Sequence, residues 1–173
     1  FVTPVAVVVN EPVAVVRALL AETGCRIAQL HGDEPPAYLS ELGYPAIKSL
    51  AIGGEADIQA VEAYREARAI LLDTRVAGQR GGTGVTFDWR LARAARSCGV
   101  PIILAGGLTP ENVADAIATA NPYALDVSSG VECTPGRKDP EKLRALFAAI
   151  NAADRNVPAT DTAPSCKAAR RPQ

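Results

Sequence analysis

The chain has 173 residues, of which 48% are hydrophobic, with 18 basic and 19 acidic side chains. This is the size and composition of one globular domain, and its net charge of −1 gives no field that would attract nucleic acid or an acidic membrane surface. No apolar run approaches the roughly 20 residues that span a bilayer, and no secretory signal pattern precedes the first apolar stretch. We therefore predict a cytoplasmic enzyme with neither a nucleic-acid nor a membrane partner.

Six short apolar runs alternate with segments that have helical spacing. Continuous apolar runs of this length are typical of strands that are buried on both faces of a parallel sheet. Strands are predicted at residues 5–9, 26–31, 45–50, 69–73, 101–105 and 123–127. Helices are predicted at residues 12–23, 37–42, 55–68, 89–97, 110–120 and 142–152. The predicted helix caps are Asn10, Asp88, Thr109 and Asp139, and Trp89 is expected to pack on a helix face.

The repeating order of strand and helix predicts an α/β fold with a parallel sheet and right-handed crossovers. Two folds fit this order, an open doubly wound sheet and a (β/α)8 TIM barrel. Glycine-rich segments follow the fourth, fifth and sixth strands, whereas the first turn, at residues 10–12, contains no glycine. Because loops after the late strands form the phosphate site of a barrel, the barrel is the favoured prediction.

Six strand–helix units account for six of the eight units of such a barrel. Since the glycine-rich loops follow the last strands, as they do in a whole barrel, two further units are expected on the N-terminal side. The start at Phe1 and the absence of methionine also predict a piece of a longer gene product. We predict a partial barrel domain over residues 1–153, whose open edge strand at 5–9 offers a surface for self-association. Residues 154–173 lack apolar periodicity and are predicted to be a disordered tail.

The three glycine-rich loops predict a phosphate site. Consecutive glycines let backbone N–H groups converge on an anion, and a helix that begins after such a loop adds the positive end of its dipole. Ordinary turns are the alternative, but they explain a single glycine pair better than three loops on successive strand ends. The predicted phosphate ligands are Gly82, Thr83 and Gly84 after the fourth strand, Gly106 and Gly107 after the fifth, and Ser129 and Gly130 after the sixth.

Titratable side chains at strand ends are the candidates for catalysis. Asp73 follows four apolar residues, and burial there disfavours an ionised carboxyl group, which suits a general acid. Asp126 either orients a substrate hydroxyl or a cation, or makes a structural hydrogen bond. His31 is a minor candidate, because a lone histidine at a strand end is more often a packed group. Lys48 is a weak candidate for a Schiff base, since the sequence indicates no partner group for it.

Five motifs occur in a fixed order across residues 5–152. They are Gln-Leu-His-Gly-Asp-Glu at 29–34, Leu-Asp-Thr at 72–74, Gly-Gly-Thr-Gly-Val-Thr-Phe-Asp-Trp at 81–89, Leu-Ala-Gly-Gly-Leu-Thr-Pro-Glu-Asn-Val at 104–113, and Asp-Val-Ser-Ser-Gly-Val-Glu at 126–132 with Pro-Gly-Arg-Lys-Asp at 135–139. In order and spacing, these motifs resemble the phosphoribosylanthranilate isomerase family. The resemblance implies a (β/α)8 barrel of tryptophan biosynthesis that needs no metal or cofactor. Its reaction is the Amadori rearrangement of N-(5-phosphoribosyl)anthranilate to 1-(2-carboxyphenylamino)-1-deoxyribulose 5-phosphate.

The same resemblance implies roles for individual residues. Asp73 matches the family's general acid, which assists opening of the ribose ring, and Asp126 matches an aspartate near the substrate, while the three glycine-rich loops match the phosphate site. The family's general base is a cysteine in a Lys-Ile-Cys-Gly motif on the first strand of the whole barrel, and an arginine after the second strand helps to bind the anthranilate carboxylate. Neither motif is present in this sequence. We therefore expect the chain alone to be inactive.

Two other classes of protein remain open at this stage. One is another phosphate-binding barrel enzyme, either an indole-glycerol-phosphate synthase, which requires catalytic lysines on early strands, or a ribulose-phosphate epimerase, which requires metal-binding histidines. The chain offers only Lys48 and His31 for those roles, and its four cysteines have no metal-binding spacing, so no metal is expected. The other class is a non-catalytic partial barrel that binds phosphorylated ligands or a partner.

Overall fold

The computed structural model of the protein describes residues 2–74 and 86–155. A six-stranded parallel sheet forms its centre, and the strands lie in the sheet in the order in which they occur in the chain. They are β1 (Val5–Val8), β2 (Ile27–Leu30), β3 (Ala46–Ile52), β4 (Ala69–Thr74), β5 (Ile102–Leu104) and β6 (Ala124–Leu125). All six predicted strands are confirmed. A doubly wound sheet reverses its strand order at a switch point, so the sequential order is that of a barrel wall.

A helix follows each strand of the sheet in the chain. The helices are α1 (Val13–Thr23), α2 (Ala37–Leu42), α3 (Glu55–Ala63), α4 (Trp89–Ala95), α5 (Val113–Ala120) and α6 (Pro140–Asp154). Between β6 and α6 the chain forms an antiparallel hairpin of β7 (Glu132–Thr134) and β8 (Arg137–Lys138), which the sequence analysis does not predict. The predicted tail at 154–173 lies outside the described residues from residue 156 onward. Within the described ranges, no helix combines the length and the apolar character needed to cross a membrane.

The two faces of the sheet are covered differently. Because successive side chains of a strand point to opposite faces, each strand contributes to both. On one face Leu30, Ile70 and Leu72 pack against the helices, where they join Val16 and Leu20 of α1 in the main core. Each of these five residues is at most 1% exposed. The other face is the concave inner side of the curled half-barrel, and the residues that alternate with the core residues point towards it.

Two of the predicted helix caps are confirmed. The Asp88 side chain accepts a hydrogen bond from the Arg90 backbone N–H at 3.0 Å at the start of α4. The Asp139 side chain accepts one from the Glu141 N–H at 2.8 Å at the start of α6. Trp89, the first residue of α4, packs against the main core, as predicted. These caps fix where the two helices begin after their loops.

The prediction for Asn10 is wrong, and Thr109 caps a turn that precedes α5 instead of the first turn of the helix. Asn10 has a φ of +56°, and its side chain accepts a hydrogen bond from the Asp33 backbone N–H at 2.6 Å instead of capping α1. The Thr109 side chain accepts a hydrogen bond from the Glu111 N–H at 3.3 Å. The Thr109 N–H also donates to the Asn112 side chain at 2.8 Å, which closes a separate turn, and α5 begins only at Val113. Local side-chain hydrogen bonds of this kind compete with helix initiation.

Candidate active site

The register of the sheet places Asp73 and Asp126 at one level. Leu72 of β4 pairs with Leu104 of β5, which pairs in turn with Leu125 of β6. Asp73 follows Leu72 on β4, and Asp126 follows Leu125 directly after β6. Since Leu72 and Leu125 pack towards the helices, both carboxyl groups point to the concave face. They lie at the carboxyl ends of the strands, where barrel enzymes carry their active sites.

Asp73 is nearly enclosed at this edge. It is 9% exposed, and its Oδ1 accepts a hydrogen bond from the Thr74 backbone N–H at 2.7 Å. Gly106, in the loop after β5, has a φ of +83°, and a methyl group there would lie 2.8 Å from Oδ1 of Asp73 and overlap the Thr74 hydroxyl group. Only glycine lets the loop approach the carboxyl group this closely. The structure thus brings the predicted acid and one predicted phosphate ligand together.

The loops after β5 and β6 lie directly against one another. A methyl group on Gly130 would overlap the carbonyl oxygen of Leu108, so the two backbones touch at this point. Gly107 has a φ of +65°, and its carbonyl group accepts a hydrogen bond from the Asn112 side-chain amide at 2.9 Å. The predicted ligands Gly106, Gly107, Ser129 and Gly130 therefore belong to two adjoining loops beside Asp73. The predicted ligands Gly82, Thr83 and Gly84 lie outside the described residues.

The contact at Gly130 gives a direct test of the phosphate loops. We expect Gly130→Ala to separate the loops, because an added methyl group that overlaps backbone costs about 1–3 kcal/mol. Affinity for inorganic phosphate should fall about tenfold, which corresponds to about 1.4 kcal/mol. Isothermal titration of the 173-residue chain measures this, with Gly54→Ala as the control, since Gly54 has open space around its Cβ position. Equal phosphate affinity in the two variants would contradict the prediction.

Asp126 lies among charged groups of both signs. Enclosure by the concave wall raises the pKa of its carboxyl group, and the negative charge of Asp73 raises it further, whereas His31 and Lys138 lower it. The net direction is upward, and Asp126 keeps contact with solvent. A carboxyl group with a raised pKa keeps its proton to a higher pH and can exchange it with a substrate group, and Asp126 lies beside loops suited to an anion.

His31 joins this site, whereas Lys48 does not. His31 follows β2 on the concave side, with Nδ1 3.1 Å from Nε2 of Gln29, and it lies within electrostatic reach of Asp126. Lys48 points to the opposite, helix-facing side of β3, where its Nζ lies 2.7 Å from Oε2 of Glu34. A Schiff-base role for Lys48 is therefore wrong on geometric grounds: its amine is buried, paired and turned away from the site.

The buried Glu34–Lys48 pair is the main feature that the sequence analysis missed. Both side chains are 2% exposed, and buried charges of this kind are rare unless they are paired. One signal was available. Lys48 lies within an apolar run and shares its strand face with Ala46 and Leu50, which places it on the core side. The position of its partner, however, is fixed by the fold, because Glu34 lies in a loop after another strand.

The pair makes stability depend on pH. Burial raises the pKa of Glu34, but hydrogen bonds from Lys48 and from the Asn10 backbone outweigh it, and the net pKa is lowered. The stabilisation by a carboxylate with a lowered pKa is complete above its ordinary pKa of about 4.3 and is lost as the pH falls through the folded value. Urea unfolding of the wild type should therefore lose free energy more steeply below pH 4.3 than unfolding of Glu34→Gln. Parallel profiles for the two proteins would contradict this.

Comparison with known proteins decides the family. The family model described as N-(5'phosphoribosyl)anthranilate (PRA) isomerase matches residues 2–149. An N-(5'-phosphoribosyl)anthranilate isomerase from Moorella thermoacetica is 46% identical over 166 residues, which cover 96% of this chain and 74% of that protein. The chain belongs to the phosphoribosylanthranilate isomerase family.

Solved structures of phosphoribosylanthranilate isomerases agree with the fold. The crystal structure from Thermotoga maritima superposes with a TM-score of 0.80 at 36% identity and covers 88% of this chain and 74% of that one. Another, a complex with reduced 1-(o-carboxyphenylamino)-1-deoxyribulose 5-phosphate, gives a TM-score of 0.76 at 34% identity over 88% and 73% of the two chains. The predictions of the isomerase family, of its enzymatic function in tryptophan biosynthesis and of its TIM-barrel fold are confirmed. The alternatives, a synthase, an epimerase and a non-catalytic barrel, gain no support.

Proposed function

We propose that this chain provides the acid and the phosphate-binding part of the phosphoribosylanthranilate isomerase site. Asp73 acts as the general acid that protonates the ring oxygen of the phosphoribosyl group when the ring opens. The observation that carries this proposal is the position of Asp73. It is a nearly enclosed carboxyl group at the carboxyl end of β4, in contact with a loop whose glycines suit an anion.

The phosphate group of the substrate binds at the loops after β5 and β6 in this proposal. Gly106, Gly107, Ser129 and Gly130 offer backbone N–H groups without crowding side chains, and the motif at 81–84 contributes Gly82, Thr83 and Gly84. The substrate is the phosphorylated sugar of anthranilate, and the solved relative with a bound phosphorylated product analogue supports this choice. Phosphate contacts at this edge leave the sugar ring beside Asp73.

Asp126 and His31 occupy the remaining concave surface near Asp73. Asp126 has a raised pKa and accepts a hydrogen bond from a substrate hydroxyl group. His31 places a group that can carry positive charge on the same face, where it stabilises negative charge on Asp126 or on the substrate. Asp73 remains the proton donor, because it is the more enclosed of the two carboxyl groups.

The proton that leaves the sugar carbon needs a base, and the described cysteines do not provide it. Cys25 precedes β2 and Cys98 precedes β5, so both lie at the amino ends of strands, away from Asp73. Burial and the neighbouring Glu62 also raise the pKa of Cys98, which disfavours the reactive thiolate. Cys133 lies on the exposed hairpin after β6. None of the three stands in the sequence motif of the family's base.

We predict that the 173-residue chain alone does not turn over N-(5-phosphoribosyl)anthranilate, because the base is lacking. A chimera in which the first two strand–helix units of the Moorella thermoacetica relative precede Phe1 should be active, since the resemblance places the family's base motif on the first strand of the whole barrel. Steady-state fluorescence of the anthranilate group measures both rates. Turnover by the chain alone that Asp73→Asn abolishes would contradict the prediction.

The exposed edge of β1 supports a further proposal, that the chain associates with itself. Among the described strands β1 pairs only with β2, and Val7 and Val9 are 60% and 45% exposed. An edge strand with apolar side chains is a template for pairing with another chain. Sedimentation of the 173-residue chain should show mass that rises with concentration, and the chimera, whose added units cover this edge, should not.

A further inference from the structure

We propose that the buried Glu34–Lys48 pair is a positioning device that holds His31 in the active site. The pair lies on the helix-facing side of the sheet and acts through the backbone of the loop after β2. It deepens the proposed function, because it assigns positioning residues to the same site. The inference rests on the contacts of four residues, Asn10, Gly32, Glu34 and Lys48, which we call the Glu34 cluster.

The charged pair holds both polar groups of the Gly32 peptide backbone. The Gly32 N–H donates to both carboxylate oxygens of Glu34, at 3.2 Å and 3.0 Å. The Gly32 carbonyl group accepts a hydrogen bond from Nζ of Lys48 at 2.7 Å. Because Gly32 directly follows His31, these bonds fix the peptide planes on the C-terminal side of the histidine. The His31 N–H in turn donates to the Val8 carbonyl of β1 at 2.9 Å, which fixes the other side.

Asn10 connects the cluster to the loop after β1. Its backbone N–H donates to Oε1 of Glu34 at 2.8 Å, and its side chain accepts from the Asp33 N–H at 2.6 Å. A methyl group on Gly32 would overlap the Asn10 side chain, so the two loops are in direct contact and only glycine fits. The carboxylate of Glu34 therefore ties the loops after β1 and β2 to Lys48 within β3.

Tyr64, the residue at the C-terminal end of α3, completes the enclosure of the pair. The Tyr64 ring centroid lies 5.5 Å from Nζ of Lys48, within the range of a cation–π contact. The Tyr64 hydroxyl group donates to the Glu34 carbonyl oxygen at 3.0 Å. The polar side-chain atoms of the pair thus bond either to backbone groups or to each other, and both side chains are 2% exposed.

Stability alone does not account for this arrangement. Two packed apolar side chains of similar size are often as stabilising as a buried ion pair, or more so. Apolar side chains cannot, however, hold the N–H and carbonyl groups of Gly32 at once. Successive residues of a strand point to opposite faces. The Glu34–Lys48 pair therefore holds Gly32 from the helix side, while His31 projects to the concave side near Asp126.

The test follows the electrostatic coupling between His31 and Asp126 by carbon-13 NMR of the Asp126 carboxyl group. His31 lowers the pKa of Asp126, so His31→Gln should raise it. Asp73 and Lys138, the other charged groups that act on Asp126, are kept in every variant. The His31→Gln effect is measured in the wild type, in Glu34→Gln/Lys48→Met, and in Glu141→Gln/Arg144→Met, a matched control at an exposed pair on α6.

In Glu34→Gln/Lys48→Met, the effect of His31→Gln on the pKa of Asp126 should fall to about a third of its wild-type size or less. The control pair should retain the full effect. An undiminished effect in a folded Glu34→Gln/Lys48→Met protein would overturn the inference, because a merely structural pair leaves the His31–Asp126 coupling in place. The measurement needs no substrate or turnover, so it can succeed even where the proposed roles in catalysis fail.

If Glu34→Gln/Lys48→Met does not fold, Glu34→Gln alone decides. This substitution keeps the size of the side chain, but it replaces one of the two carboxylate oxygens that accept from the Gly32 N–H by an amide nitrogen that cannot accept, and it removes the negative charge that pairs with Lys48. A reduced effect of His31→Gln in the Glu34→Gln background supports the inference. A full effect there overturns it.

Discussion

Asp73→Asn will lower kcat of the active chimera by about 10²–10⁴-fold, the contribution typical of a general acid. Asparagine preserves the shape of the side chain and can still accept a hydrogen bond from the Thr74 N–H, but its amide group is not acidic and cannot transfer a proton to the substrate. KM should change little, since the phosphate loops are untouched. Steady-state kinetics measure both constants.

The matched control for Asp73→Asn is Asp88→Asn. Asp88 caps α4 at the protein surface, and asparagine caps helices about as well as aspartate. We expect the control to retain its activity and its melting temperature. If both variants are equally active, Asp73 is not the acid, and the proton donor has to be sought elsewhere in the site.

Lys48→Met will cost about 3–5 kcal/mol of unfolding free energy, the largest loss of stability that we expect from one side chain. The substitution leaves the Glu34 carboxylate buried without its cation, and it removes the donor to the Gly32 carbonyl group. Adding Glu34→Gln should recover most of the loss, because the uncompensated charge is removed. Urea unfolding of the 173-residue chain measures each value.

Arg144→Met provides the comparison for this prediction. Arg144 and Glu141 form an ion pair whose side chains are 71% and 88% exposed, and such surface pairs contribute about 0–1 kcal/mol. The difference between the two variants therefore reports burial and not charge alone. A Lys48→Met protein as stable as Arg144→Met would show that water or a relaxed backbone compensates for the loss of the lysine.

The parts of the fold that depend on local pattern were predictable. The apolar runs at 69–73 and 101–105 predict β4 and β5 because buried parallel strands need continuous apolar residues. The same reasoning singled out Asp73, a carboxylate at the end of such a run. The structure places it beside Gly106 on the concave face. Its role as the acid stays a prediction.

Two of the features that were missed depend on contacts across long stretches of chain. Asn10 was predicted to cap a helix, but its partners Asp33 and Glu34 are 23 and 24 positions away. The Glu34–Lys48 pair spans 14 positions and follows no periodicity. For Asn10 and for the buried pair, the tertiary fold supplies the partner. The hairpin of β7 and β8 is local, but it was missed because its strands are too short to alternate recognisably.

Growth of a tryptophan auxotroph tests the central claim most directly. Three genes are compared in medium without tryptophan: the 173-residue chain, the chimera with the two added strand–helix units, and the chimera with Asp73→Asn. The account predicts growth with the chimera alone, because only the chimera combines the family's base with the acid Asp73 and the phosphate loops. Growth with the 173-residue chain, or equal growth with the Asp73→Asn chimera, would contradict it.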